Sequence, residues 1–157
     1  MRLTHEQIAA LIPHSGPMCL LDEVLSADHA TLRCHARSHL DPRHPMRGPD
    51  GLGAACAIEY AAQAMALHDA LRHRAAAVPP AAGASYGMLV SLRDVRFAVR
   101  RLDLVCDPLL VQVELLSGDG AGALYAFQVG TATRELVCGR ASVIPEAGPR
   151  LPVRPLR

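Results

Sequence analysis

Apolar positions along the chain follow two periods, helical in two places and strand-like in six. The strongest helical stretch is "AACAIEYAAQAMALHDALRHR", residues 54–74, rich in alanine and free of Gly and Pro. At ~1.5 Å per residue it predicts a helix about 30 Å long. Its first half is apolar on every side except for Glu59, Tyr60 and Gln63, and a helix apolar all round is buried. A shorter helix is predicted over "THEQIAAL", residues 4–11, with Thr4 as N-cap, Gln7 completing a capping box and Pro13 as the stop. Strands are predicted over 18–27, 30–39, 86–100, 108–117, 122–130 and 134–144. A turn through His29 joins the first two, and Gly-rich turns join the last three as a meander.

Between these elements lie three irregular stretches. "LDPRHPMRGPDGLG", residues 40–53, is a long Pro/Gly loop of the kind that often carries function. "AAAVPPAAGAS" reads as a flexible connection, and residues 146–157 as a proline-rich, flexible C-terminal tail. The order is short helix, two strands, long buried helix, four strands. One apolar helix among antiparallel strands stays dry only if the sheet wraps it. The expectation is an α+β single domain over residues 1–145, an antiparallel sheet wrapped around one central helix in the hot-dog manner. Exposed edge strands in such a sheet favour pairing with a second subunit.

Composition narrows the function. The chain has 157 residues and a net charge of +1, with 3% aromatic residues and no Trp. No base-stacking platform or basic field is expected, so nucleic acid is excluded as a partner. No apolar run is long enough to cross a bilayer, and the N-terminus lacks a signal peptide's apolar core. The expectation is a cytoplasmic protein with no membrane partner. All sixteen basic residues are arginine, which removes Schiff-base chemistry on lysine. Cys19, Cys34, Cys56, Cys106 and Cys138 are odd in number and widely spaced, and read as small core residues rather than disulfides or ligands. His35 and His39 read as surface residues on one strand face, ~13 Å apart, too far to share a zinc ion. No metal and no cofactor are expected.

Glu59 is the residue with chemistry to explain. It sits in the apolar half of the long helix, one turn before Gln63 on the same face. A buried carboxylate costs several kcal/mol unless it is paired or protonated. One resolution is a pair with Gln63 or a salt bridge to Arg43 or Arg47. The other is a carboxyl whose burial raises its pKa for general acid/base work. The helix start, around residues 53–55, adds N–H groups able to polarise a carbonyl oxygen. With one histidine, such a set can remove an α-proton and expel a β-hydroxyl.

"LIPHSGPMCLLDEV", residues 11–24, followed by "IEYAAQAMALH" on the long helix, resembles the 3-hydroxyacyl-acyl-carrier-protein dehydratases of the hot-dog superfamily. Glu59, Gln63 and Ala64 match that family's E-x-x-x-Q-A. With "GMLVSLRDVRFAVRRLD" after the helix, the chain is most similar to the branch associated with aryl polyene biosynthesis. The resemblance spans roughly residues 5–144. It implies dehydration of a 3-hydroxyacyl thioester to the trans-2-enoyl thioester, in fatty-acid-like or aryl polyene biosynthesis. The substrate would ride on the 4'-phosphopantetheine of an acyl carrier protein. The resemblance makes His14 the rim histidine and Glu59 the acid, with helix N–H groups holding the thioester oxygen. It also implies a homodimer or a heterodimer with a second hot-dog dehydratase, in which one chain's histidine may serve the other's Glu59. The family's G-H-F-P-G loop histidine has no matching context here. The loop reads "PRHPMRGPDG", so His44 stands as the alternative base and Gln63 as a supporting group.

Arg93, Arg96, Arg100 and Arg101 form a candidate landing site for an acidic carrier protein, or else an ordinary solvated strand face. Two other functions stay open. With the loop motif lost, the chain can be a non-catalytic partner of an active dehydratase. A helix carboxylate can also activate water, as in hot-dog thioesterases.

Overall fold

The computed structural model describes residues 2–77, 87–119 and 121–145. The predicted tail and most of the predicted 75–85 connection lie outside the described residues. Seven strands form one antiparallel sheet: β1 (Leu3–Thr4), β2 (Glu23–Ala27), β3 (Thr31–Ala36), β4 (Gly87–Phe97), β5 (Leu109–Asp119), β6 (Gly122–Gly130) and β7 (Glu135–Pro145). Their order across the sheet is β1-β2-β3-β5-β6-β7-β4, so β4 crosses to the far edge. Two helices complete the fold, α1 (His5–Ala9) and α2 (Ala57–Ala75), the latter entered through a 3-10 turn at Ala54–Cys56. This is the α+β hot-dog architecture expected.

Strict alternation builds the concave face. Leu32, Cys34 and Ala36 on β3, Leu109, Val111 and Val113 on β5, and Tyr125, Phe127 and Val129 on β6 are all buried. They enclose the α2 face of Ala57, Ala61, Ala64 and Leu67. Burying a side chain such as Leu67 contributes ~1.5–3 kcal/mol, and alanine on this face lets helix and sheet approach closely. The turns follow their side chains. The Asp28 carboxylate accepts the Ala30 and Thr31 amides, both at 2.8 Å, and closes the β2–β3 hairpin. Gln7 Oε1 accepts the Thr4 amide at 2.9 Å, as a capping box requires.

Three expectations need correction. Residues 18–22 are not strand. Gly16, at φ +57°, opens a 3-10 turn over Gly16–Met18, and the buried Cys19–Leu21 run that follows is extended without being part of the ladder. The predicted strand to residue 39 stops at Ala36, and Ser38–Leu40 form a 3-10 turn. That turn buries His39 completely, where its Nε2 bonds the Val105 carbonyl at 2.9 Å, so His39 is a core residue and not a surface one.

The cysteine reading is divided. Cys19, Cys34 and Cys138 are buried, and burial pushes the Cys34 thiol up to about 12, which makes it inert. Cys56 is half-buried and Cys106 exposed. Among the described residues no helix is long and apolar enough to cross a membrane. Nor is any group of three or more His, Cys, Asp or Glu residues placed to hold a metal ion.

Candidate active site

The long loop is locked beside the start of α2. Gly48 and Gly51 exchange backbone hydrogen bonds at 3.0 Å, and Gly51 adopts φ +99°. Asp103 sits beneath this turn with its side chain 5% exposed. It accepts from Arg47 Nη1 at 2.9 Å, from Arg101 Nε at 3.0 Å and Nη2 at 2.6 Å, and from the Leu52 amide at 3.1 Å. The Arg101 guanidinium beside it holds the Asp103 carboxyl well below the usual carboxylate range. This cluster joins the loop to the segment after β4 and fixes where α2 begins. The Ala54 amide completes the join by donating to the Arg100 carbonyl at 2.9 Å. Of the helix-start N–H groups, Ala54 is therefore engaged, while the Ala55 amide has no backbone acceptor among the described residues.

One turn into α2, Glu59 meets His14. His14 Nε2 lies 3.1 Å from Glu59 Oε1, with the side chains 29% and 27% exposed. Gln63, wholly buried, donates from Nε2 to the same Oε1 at 3.0 Å and to the Met18 carbonyl at 2.8 Å. Its own Oε1 accepts the Leu20 amide at 2.9 Å. The Gln63 amide thus pins the turn carrying His14 to the helix carrying Glu59. Glu59 Oε2 has no protein hydrogen-bond partner among the described residues, so one carboxylate oxygen is held and the other is open. His14 Nδ1 also has no partner there, so no protein group sets its tautomer from that side.

The structure brings His14, Glu59 and Gln63 together within one chain. Glu59 is only partly buried. Its pairing with Gln63 is present, but neither arginine reaches it: Arg43 pairs with Asp41 and Arg47 with Asp103. His44 lies elsewhere. It is buried, its Nδ1 accepts the Met46 amide at 3.1 Å, and its Nε2 bonds Tyr60 Oη at 3.1 Å. Both ring nitrogens are occupied, and burial, reinforced by Arg47, lowers its pKa.

The four arginines separate as well. Arg93 and Arg100 are exposed. Arg96 Nη2 contacts Cys138 Sγ at 3.3 Å. Arg101 pairs with Asp103 and keeps 40% of its side chain exposed.

An apolar cavity of about 340 Å³ lies further along α2, beginning at Ala62, three residues past Glu59. Ala66, Leu89, Ala123, Tyr125 and Val143 are among its walls, and Asp69 and His73 stand at one end. It adjoins β4, whose outer edge is unpaired among the described residues. Met88, Val90 and Leu92 on that strand are 51%, 49% and 38% exposed.

A seven-stranded antiparallel sheet wrapped around one helix, with a carboxyl–histidine pair at the helix's first turn, defines a protein of the hot-dog fold. The chain belongs to the ApeP-like family, described as ApeP dehydratase, whose model matches residues 6–149. Among solved structures it is similar to the dehydratase heterocomplex ApeI:P from Xenorhabdus doucetiae, at 25% identity and TM-score 0.76, with 91% of each chain covered. Two thioesterase structures share the fold at 12% identity. Zebra fish thioesterase superfamily member 2 has a TM-score of 0.62 and 90% and 98% of the two chains covered. A putative thioesterase from Shewanella oneidensis has a TM-score of 0.61 and 90% and 93% covered. Among curated protein sequences none matches at a significant level.

Proposed function

We propose that this chain dehydrates a 3-hydroxyacyl thioester, delivered on the phosphopantetheine of an acyl carrier protein, to the trans-2-enoyl thioester. The observation that carries this reading is the His14–Glu59 contact, with one carboxylate oxygen held by Gln63 and the other open. His14 takes the α-proton. The protonated Glu59 gives its proton to the β-hydroxyl through Oε2, the C–O bond breaks and water leaves. Electrons from the broken C–H bond become the new double bond. The Ala55 amide at the helix start supports the thioester oxygen as charge develops. Return of the proton from His14 Nε2 to Glu59 Oε1 across their contact, followed by its exchange to Oε2 of the same carboxyl, restores the starting state, so the pair needs no outside acid or base. The apolar cavity along α2 suits the acyl chain.

Similarity to a dehydratase heterocomplex supports a second hot-dog dehydratase as partner. In this chain the apolar β4 edge is where it would pair, since unpaired ladder groups beside exposed apolar side chains favour strand addition. The aryl polyene setting and the cytoplasmic location belong to the same reading.

The test is a mass-resolved assay of a 3-hydroxyacyl carrier-protein substrate with the full chain, alone and with its partner. Loss of one water per substrate, abolished by Glu59→Gln, supports the dehydratase. Release of free carrier thiol instead moves the assignment to a thioesterase. No turnover alone, together with partner activity that survives Glu59→Gln, moves it to a non-catalytic subunit.

A further inference from the structure

The buried loop histidine is linked to the candidate active site by hydrogen bonds whose directions are all fixed. His44 Nδ1 accepts the Met46 amide, so the ring proton is on Nε2 and donates to Tyr60 Oη. Ser38 Oγ lies 2.7 Å from Tyr60 Oη and 2.8 Å from the Leu20 carbonyl. A carbonyl can only accept, so Ser38 donates to Leu20 and Tyr60 donates to Ser38. The Leu20 amide then donates to Gln63 Oε1, which orients Gln63 Nε2 toward Met18 and Glu59. The reverse assignment fails at its first link. A proton on Nδ1 would face the Met46 N–H, and Nε2 would then take the Tyr60 proton that Ser38 needs.

The chain runs through three separate elements: the buried His44 of the Pro/Gly loop, the half-buried Ser38 of the turn after β3, and the buried Tyr60 and Gln63 of α2. Such networks act as units in a low-dielectric interior. Its far end is the carboxamide that holds both Glu59 and the turn bearing His14. We infer that His44, Tyr60 and Ser38 are positioning residues for the His14–Glu59 pair, setting its geometry through Leu20 and Gln63 without touching substrate. This rests on the dehydratase reading for its kinetic consequence, but not for its structural one.

The test uses the full chain with four single variants of the link, one double variant and one control. Tyr60→Phe and Ser38→Ala each break one link. His44→Leu removes the first donor, while His44→Gln offers a replacement N–H to Tyr60. The expected result is a fall in kcat of about tenfold to a hundredfold for the three broken-link variants, the scale on which misplaced catalytic groups act. KM stays near wild type, and His44→Gln recovers much of the loss. Tyr60→Phe combined with Ser38→Ala costs no more than the worse single change. Histidine ¹⁵N spectra read the same link without turnover, because the His14 ring signals move in Tyr60→Phe and Ser38→Ala. His68→Asn, which disrupts a different buried histidine–tyrosine pair, His68 of α2 with Tyr125 of β6 at 3.1 Å, lowers stability but leaves the His14 signals in place.

Unmoved His14 signals in both Tyr60→Phe and Ser38→Ala would overturn the inference, as would turnover that falls only in step with stability. If the wild-type chain shows no dehydration while the His14 signals do move, the catalytic assignment fails and the link stands.

Discussion

His14 and Glu59 meet at 3.1 Å although one rides a proline-flanked turn and the other the central helix. Neither element alone would hold the distance. Gln63 does so by bonding Glu59 and, at the end of the turn and just past it, the Met18 carbonyl and the Leu20 amide.

If the pair acts as one unit, its members are not additive. Glu59→Gln and His14→Ala are each expected to lower the dehydration rate by about 10²–10⁴. The double variant should be no slower than the worse single one. Turnover numbers for the three proteins, with matching circular dichroism spectra, check this. A multiplicative loss would mean the two residues act independently.

Acid should unfold the chain from an unusually high pH. His39, His44 and His68 are buried, and burial depresses the pKa of each below 6.5. Well above pH 6.5 folded and unfolded chains are both neutral at these rings, and no stability is lost. As the pH falls through 6.5 the unfolded chain takes up protons that the native chain refuses, so stability falls with pH. Each histidine contributes at most about 1.4 kcal/mol per pH unit. Urea midpoints at pH 7.5, 6.5 and 5.5 should fall slightly over the first interval and steeply over the second. The Asp103 contribution is lost only in a separate window below the usual carboxylate value.

Gly51→Ala should destabilise the fold by about 1–3 kcal/mol. Its φ of +99° disfavours any side chain, and an added Cβ would stand 2.6 Å from Asp103 Oδ2 and press on the Arg101 guanidinium. Thermal melting reads the loss. Gly53→Ala, with open space around its added Cβ and an ordinary backbone φ, should melt near wild type.

The arginines should divide by role. Arg93→Glu and Arg100→Glu should weaken carrier-protein binding in a salt-dependent way while leaving the melting temperature nearly unchanged. Arg101→Glu should lower the melting temperature, because it places a carboxylate beside Asp103. Equal binding by all three variants would remove the docking surface from the proposal.

The sequence makes the central helix and the six predicted strands legible, the first of them only over its second half, because alanine content and alternation act locally. It also carries the Glu59–Gln63 pair, since a helix fixes which residues share a face. What it hides depends on side chains meeting across the fold. Cys19–Leu21 read as strand because they are apolar, yet the Leu20 amide goes to Gln63 rather than to a neighbouring strand. His39 looks solvated until the strand ends early and turns it inward. The two-residue β1 strand is too short to leave a pattern. The role of His44 is equally silent, as Ser38 and Tyr60 meet it only in three dimensions. The one available clue was a tyrosine inside an otherwise apolar helix half, whose hydroxyl needs a buried partner.

The β4 edge also bears on how the protein must be made. Met88, Val90 and Leu92 lie along a strand whose outer backbone groups have no ladder partner among the described residues. Such a strand accepts any extended chain it meets first, correct or not. If the proposed second dehydratase pairs here, copies synthesised in excess of it have each other as the nearest substitute. Yield in the cell would then track the scarcer of the two subunits, and balanced synthesis becomes part of keeping this molecule in solution.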